Sequence, residues 1–332
     1  MSFRDFKDKE DFKNFFLGLL QTEKTDKKHL SLLLNLYIRY NHNLMERSNG
    51  KNFQSNFFTK RYSQLIKSWF NAKNHFCKKG KEFLRNLQKK NINFLLKFEL
   101  PENLQNIDWL FAEGNLNILF NRENLFIGMI GTRSPKGDYK RIIHTVIAAF
   151  KRQNPVIVSG LARGIDSAAH KTAIDLKIPT ISVLGYGILH KYSTSNEYQF
   201  LRKNIPESGG LIISAYRPSE LPRRKNFLER NELIVQLSNF IIPVQGTVPS
   251  GTFSTIVRAI NKSKPVICIK NNWVNEICEY VHQSNYSKFF VFHAEKFNEK
   301  TVNELLLYLR SKELKPDTKI HTDSVRNSIK LF

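Results

Sequence analysis

Four short turns hold the residue types and spacings best suited to chemistry. Gly131-Thr132-Arg133-Ser134 follows the apolar run LFIGMI (125–130). Ser159-Gly160-Leu161-Ala162-Arg163-Gly164-Ile165-Asp166 leads PVIVS (155–159) through two glycines into an amphipathic stretch. Gly185-Tyr186-Gly187 closes PTISVL (179–184), and Gly246-Thr247-Val248-Pro249-Ser250-Gly251-Thr252 follows NFIIPV (239–244). Glycines in such places let the backbone approach a ligand. A helix that begins there offers unpaired N–H groups and the positive end of its dipole. An oxyanion is the guest this chemistry invites. Arg133, Arg163, Lys191 and the trio Arg223-Arg224-Lys225 lie close to these turns in sequence and would make the rim basic. Arg230-Asn231 reads either as a pocket contact or as a buried Arg satisfying backbone carbonyls, since a buried charge must be paired. The trio reads as an exposed loop after Pro218 and Pro222.

Catalytic patterns are weaker. Asp166 and His170 stand four apart, the spacing of an acid–base dyad. An Asp in a first helical turn and an i,i+4 Asp–His contact are also ordinary helix features, and that reading is preferred. Ser159 precedes a glycine but lacks the G-x-S-x-G elbow of a nucleophile, so it reads as a hydroxyl for a phosphate or for the turn itself. The nine histidines include no HExxH-type spacing, which predicts no metal. The first turn lacks G-x-G-x-x-G, so a nicotinamide fingerprint is not supported and no cofactor is expected.

The four turns need a frame that brings them together. Before about residue 95 the apolar spacing is helical, as in FKNFFLGLL and HLSLLLNLYIRY. After Pro101, β-branched runs alternate with amphipathic stretches at 138–152, 164–177, 196–203, 228–238 and 252–263. GLIISA (210–215) and PVICIK (265–270) complete six strand–helix units, and KFFVFH (288–293) with a helix at 301–314 could extend them. Continuous apolar strands separated by helices need a parallel sheet covered on both faces. The expected fold is α/β, a doubly wound, mostly parallel Rossmann-like sheet with a smaller N-terminal helical domain. The domains would be 1–95, 96–314 and a polar tail at 315–332.

Charge narrows the partner. The 332 residues include 52 basic and 29 acidic side chains, a formal net charge of +23. Residues 51–100 alone carry 12 basic against 2 acidic, together with Phe53, Phe57, Phe58, Tyr62, Trp69, Phe70 and Phe76. Such a mixture suits nucleic acid, although an amphipathic helix with its aromatics turned to the core gives the same composition. The three cysteines form no CxxC pair, which argues against a disulfide framework or thiolate zinc site. No apolar run reaches the roughly 18 residues of a membrane helix, and the start shows no signal-peptide pattern. A cytoplasmic protein with no membrane contact is expected.

The motifs together resemble the DprA/Smf family of DNA-processing proteins. The resemblance rests on IGMIGTR (127–133), SGLARGIDSAAH (159–170), VLGYG…KYSTSN (183–196), FLERNELIVQLS (227–238) and SGTFSTIVRA (250–259), with Pro101, Leu104, Ile107, Leu110 and Gly114 as lead-in. It implies an extended Rossmann fold that binds single-stranded DNA in a basic pocket, forms a homodimer and loads a RecA-type recombinase, without enzymatic activity. On that reading Arg133 of the Gly131-Thr132-Arg133 turn holds a DNA phosphate, Gly160, Arg163 and Gly164 form the second wall, and Gly131, Thr132 and Ser159 belong to the same binding set. Gly185, Gly187, Lys191, Arg223, Arg224, Lys225, Arg230, Asn231, Ser250 and Gly251 complete the binding set. This chain departs from the family pattern at Leu189, at Tyr192-Ser193, at Thr194, at Glu232 and at Gln245.

An enzyme remains the alternative: a nucleotide or phosphoribosyl hydrolase, such as the cytokinin-activating phosphoribohydrolases. Those carry a PGGxGT turn and a catalytic Glu, and VQGTVPSGTFST (244–255) has neither the double glycine nor the acid. A nucleotide sensor without DNA contact is a third reading.

Overall fold

The computed structural model describes residues 6–22, 25–46, 60–271 and 273–312. The aromatics Phe53, Phe57 and Phe58 and the tail 315–332 lie outside the described residues. The chain divides into two compact units, Met1–Phe111 and Ala112–Phe332, later than the change of texture near residue 95.

The first unit contains α1 (Lys9–Leu20), α2 (Lys27–Glu46), α3 (Lys60–Asn71), α4 (Lys73–Gln88) and β1 (Ile92–Leu96). Its core is built from phenylalanines. Phe12, Phe15 and Phe16 on α1 are fully buried, and Phe12 stacks on Tyr37 with ring centroids 3.5 Å apart. Trp69 and Phe70 are also buried, while Lys78, Lys81, Arg85, Lys89 and Lys90 face solvent. The aromatics placed in a nucleic-acid surface at 51–100 are therefore, at Trp69 and Phe70, core. The composition there is that of an amphipathic helix pair. Helices α1 and α4 cross at contact distance through two glycines. A Cβ on Gly80 would stand 1.8 Å from the Asn14 carbonyl oxygen, and one on Gly18 would stand 2.1 Å from that of Phe76.

Strand β2 (Trp109–Gly114) spans the point of division, the second unit beginning at its Ala112. That unit runs β3 (Leu125–Gly131), α5 (Tyr139–Ala149), β4 (Pro155–Ser159), α6 (Ile165–Asp175), β5 (Thr180–Val183), α7 (Asn196–Glu207) and β6 (Leu211–Ser214). It continues with α8 (Arg224–Leu237), β7 (Phe240–Gln245), α9 (Gly251–Asn261), β8 (Val266–Lys270), α10 (Asn275–Gln283), β9 (Phe289–His293) and α11 (Glu299–Lys312). The strand order is β6-β5-β4-β3-β7-β8-β9, with every pairing parallel. The chain thus winds outward from β3 to β6, then returns to the other side of β3. The fold is α/β and doubly wound, as expected, with KFFVFH forming the outermost strand β9.

Alternation along β3 separates the two faces. Ile127 and Met129 join α5, α6 and α11 in one apolar cluster. Gly128 points the other way, towards Ile241 and Ser238. Pro243 interrupts β7 and brings no N–H to the ladder, and beside it the pairing shifts: Ile130 faces Pro243, whereas Gly131 faces Gln245. The bulge bends the end of β3 so that Thr132 N donates to the Gln245 carbonyl at 2.9 Å.

His170 buttresses the turn after β4. It is fully buried; Nε2–H donates to the Gly160 carbonyl and Nδ1 meets the Thr180 hydroxyl at 2.7 Å. Burial holds its pKa down at about 4, so it stays a neutral ring shut away from solvent. The dyad spacing with Asp166 is a packing relation.

Two outcomes follow from these contacts. Gly80→Val should lower stability by about 3 kcal/mol, read from urea unfolding, because the new methyls meet backbone that cannot withdraw; an unchanged midpoint would contradict the helix crossing. For His170, the unfolded ring accepts a proton near its ordinary 6.5 and the folded one only near 4. Its contribution is therefore complete above about pH 6.5 and is lost on acidification towards 4, on the order of 3 kcal/mol. His170→Gln should flatten that part of the stability–pH curve, and a curve of unchanged slope would refute the assignment.

Candidate nucleic-acid interface

Because the strands of the second unit are parallel, the turns after β3, β4, β5 and β7 all lie along one edge of the sheet. The chain changes winding direction between β3 and β7, and open α/β sheets place their ligands beyond the carboxyl ends at such a point. A cavity of about 850 Å3 opens there. Its walls come from the ends of β3 and β7, the starts of α6 and α9, one face of α8 and Trp273 beyond β8.

Eight of the expected residues line it: Gly131, Thr132, Arg133, Arg224, Arg230, Asn231, Ser250 and Gly251. Ser250 caps α9, its hydroxyl accepting from Phe253 N at 3.0 Å. Arg133 is exposed, and its guanidinium lies 5.3 Å from the centre of the Phe227 ring. Arg223, Arg224 and Lys225 do not form a loop. Arg223 is the N-cap of α8 and the other two open its first turn, a place where the helix dipole repels cations. Only Arg224 reaches the cavity; Lys225 pairs with Glu229 at 3.4 Å.

Arg230 forms the floor. It lies in the middle of α8 rather than at its start, and is 6% exposed. Its Nη1 donates to the Val183 carbonyl at 2.8 Å, so the carbonyl-satisfying alternative holds together with the pocket contact. Asp166 faces it. A Cβ on Gly160 would be 1.8 Å from Arg230 Nη1 and 2.3 Å from Asp166 Oδ2, so only glycine fits between them. Burial pushes the Asp166 carboxyl up, an effect that the Arg230 charge opposes without cancelling. Burial likewise lowers Arg230, and the Asp166 charge offsets part of that. Arg230 Nε has no hydrogen-bond partner among the described residues.

The remaining expected residues have other work. Ser159 is fully buried and donates to the Met129 carbonyl at 2.6 Å, so its hydroxyl is spent inside the sheet. Gly160 accepts from His170 and Ser182. Gly164 takes a φ of +94°, and a Cβ there would strike the Thr132 carbonyl at 2.4 Å. That carbonyl instead accepts from Ile165 N at 3.2 Å, and Ser167 N donates to Ala162 O at 3.1 Å. The N-terminus of α6, expected to receive an oxyanion, is thus closed by the chain itself. Arg163 leans over the first turn, Nε 3.3 Å from the Arg133 carbonyl. Gly185 makes room for the Phe227 ring and Gly187 for the turn at Arg217–Glu220; neither lines the cavity. Lys191 is exposed outside it.

Several cavity residues carry no turn or charge-run signal. Lys136 and Trp273 both line it, with the ammonium 5.5 Å from the centre of the indole ring. Gln245 clamps the first loop from both sides. Its Oε1 accepts from Lys136 N at 2.9 Å, and its Nε2 donates to Lys136 O at 2.5 Å. A carboxylate could make only the first bond. Glu232 adds no negative charge to the cavity, being paired with Lys262 at 2.8 Å and Arg258 at 3.6 Å. Arg133, Lys136 and Arg224 form no ion pair among the described residues. No described group of His, Cys, Asp and Glu could hold a metal ion. No described helix is long and apolar enough to cross a membrane.

Comparison with known proteins places this arrangement. The chain is 32% identical to the DNA processing protein DprA of Bacillus subtilis over 160 residues, 48% of this chain and 52% of that protein. It is 30% identical to DprA of Streptococcus pneumoniae over 176 residues, 52% of this chain and 59% of that one. The chain thus spans about half the length of the curated relatives it matches. The X-ray structure of S. pneumoniae DprA superposes with a TM-score of 0.61 at 21% identity, covering 88% of this chain and 97% of that one, and shares the fold. A Helicobacter pylori DNA processing protein A, solved for its single-stranded DNA binding mode, gives 0.55 at 25% identity over 65% of this chain and 96% of that one. The profile of the DNA recombination-mediator protein A family matches residues 94–288, more than half the chain and the whole of the cavity lining. This chain belongs to that family.

Proposed function

We propose that the cavity at the β3–β7 edge binds single-stranded DNA, and that the protein acts in recombination by presenting that strand to a RecA-type recombinase, as a homodimer. One observation carries the DNA reading. Three unpaired cations, Arg133, Lys136 and Arg224, converge on a cavity whose floor is a buried guanidinium with an unused N–H donor. A phosphodiester supplies the acceptors and negative charge that this set lacks, and its binding releases condensed counterions. The aromatic faces of Phe227 and Trp273 in the same wall suit unpaired bases. Recombinase loading and self-association rest on membership of the family and on its resemblance in the motifs.

The hydrolase reading needs a carboxylate free to act. Among the described lining residues the carboxylate is that of Asp166, 8% exposed and turned to Arg230. That favours binding over catalysis.

Fluorescence anisotropy with single- and double-stranded oligonucleotides at two salt concentrations tests the proposal. The expected result is micromolar or tighter binding, preference for single strands, and steep weakening by salt. Arg133→Ala should lower affinity across all sequences and reduce the salt slope by about one. Equal affinity and slope in that variant would remove the cavity from the account. Release of free base from nucleoside monophosphates would favour the hydrolase instead.

A further inference from the structure

Trp273 stands apart from the other two tryptophans. Trp69 and Trp109 are buried, whereas Trp273 is 43% exposed on the wall of a cation-lined cavity. A large apolar ring left in water beside such a cavity calls for an explanation.

The main chain that carries it is fixed. Trp273 N donates to Asn271 Oδ1 at 2.8 Å, and Asn271 Nδ2 donates to the carbonyls of Val244 at 3.1 Å and Ile269 at 2.8 Å. The Trp273 carbonyl accepts from Gly246 N at 3.0 Å. The segment is therefore stitched to the ends of β7 and β8. On the opposite side, the loop bearing Lys136 is held by both arms of the Gln245 amide. Between these two anchored segments the Lys136 ammonium lies 5.5 Å from the indole centre. Gly137 adds to the fit: a Cβ there would come within 3.0 Å of the indole Nε1.

The arrangement joins a π-face and a cation on pre-set backbone. An unpaired nucleotide offers the matching pair, a base with a free face and a phosphate attached to it. In a duplex the base faces are already stacked on their neighbours, leaving only the phosphates. We propose that Trp273 is the base-stacking platform of the cavity, with Lys136 holding the phosphate of the stacked nucleotide, and that this pair supplies the discrimination of single strands from duplex. The inference rests on the DNA reading above and adds to it a named residue and a source of selectivity.

The test compares an oligothymidylate with an abasic oligomer of the same phosphate number, on the full chain. Because Trp69 and Trp109 are buried, quenching of the exposed indole reports on Trp273. Oligothymidylate should quench the emission and the abasic oligomer should not. Trp273→Ala should weaken oligothymidylate binding by about tenfold, leave abasic binding unchanged and keep the salt slope of the unaltered protein. Trp273→Phe, which retains an aromatic face, should restore most of the loss. Lys136→Ala should weaken both ligands and flatten the slope. If Trp273→Ala binds oligothymidylate as tightly as the unaltered protein, or loses equally on both oligomers, the platform is wrong. In that case Arg133→Ala tells the two claims apart: a loss there keeps the DNA reading without the platform. Failure of the unaltered protein to bind any oligonucleotide overturns both.

Discussion

Two buried groups of opposite charge, Arg230 and Asp166, facing each other across a glycine are the constraint on which the site depends. Arg230 and Asp166 come from different helices, α8 and α6, and meet over the end of β4, where Gly160 leaves the space they occupy. Two charges removed from water are costly, and losing either partner strands the other. The requirement therefore fixes the distance between the helices, the identity of residue 160 and, through the Val183 carbonyl, the end of β5. The pair also decides the sign of the cavity. Burial disfavours the Asp166 charge and the carboxyl faces Arg230, so the field beyond the floor is set by Arg133, Lys136 and Arg224.

A second device shapes the wall above that floor. Pro243 breaks the ladder between β3 and β7, the register slips there, and the end of β3 is carried to the Gln245 carbonyl. Gln245 then pins the following loop by donating and accepting at once. The two cations of this loop lean on rings from separate elements, Arg133 on Phe227 and Lys136 on Trp273. Cation–π contacts of this kind are worth roughly 0.5–1 kcal/mol each when exposed. That is enough to bias a long side chain towards the cavity without withholding it from a phosphate.

Much of this was legible in the residues. Continuous apolar runs such as PVIVS and NFIIPV can be buried on both faces only in a parallel sheet, and the strands appear within a residue or two of those runs. Gly131-Thr132-Arg133 and Ser250-Gly251 are at the cavity because strand-end turns gather there by topology. Other assignments failed for physical reasons that a one-dimensional pattern hides. The N-terminus of α6 looked open to an oxyanion, yet the Thr132 carbonyl from the turn after β3 fills it. Gly185 and Gly187 serve close packing, which uses the same residue type as ligand approach. Arg223-Arg224-Lys225 read as a loop because they follow Pro218 and Pro222, and here they cap and open α8 all the same. Trp273 and Lys136 gave no signal, since their pairing exists only once β8 and the loop after β3 are brought together.

Hydrogen exchange followed by mass spectrometry tests the central claim most directly, because it reads the whole chain without choosing residues beforehand. On adding an oligothymidylate, slowed exchange should concentrate in the peptides spanning 130–138, 224–234 and 245–255, with residues 60–90 unaffected. Protection confined to 60–90, with the strand-end peptides unchanged, would contradict the account and move DNA binding to the basic helices.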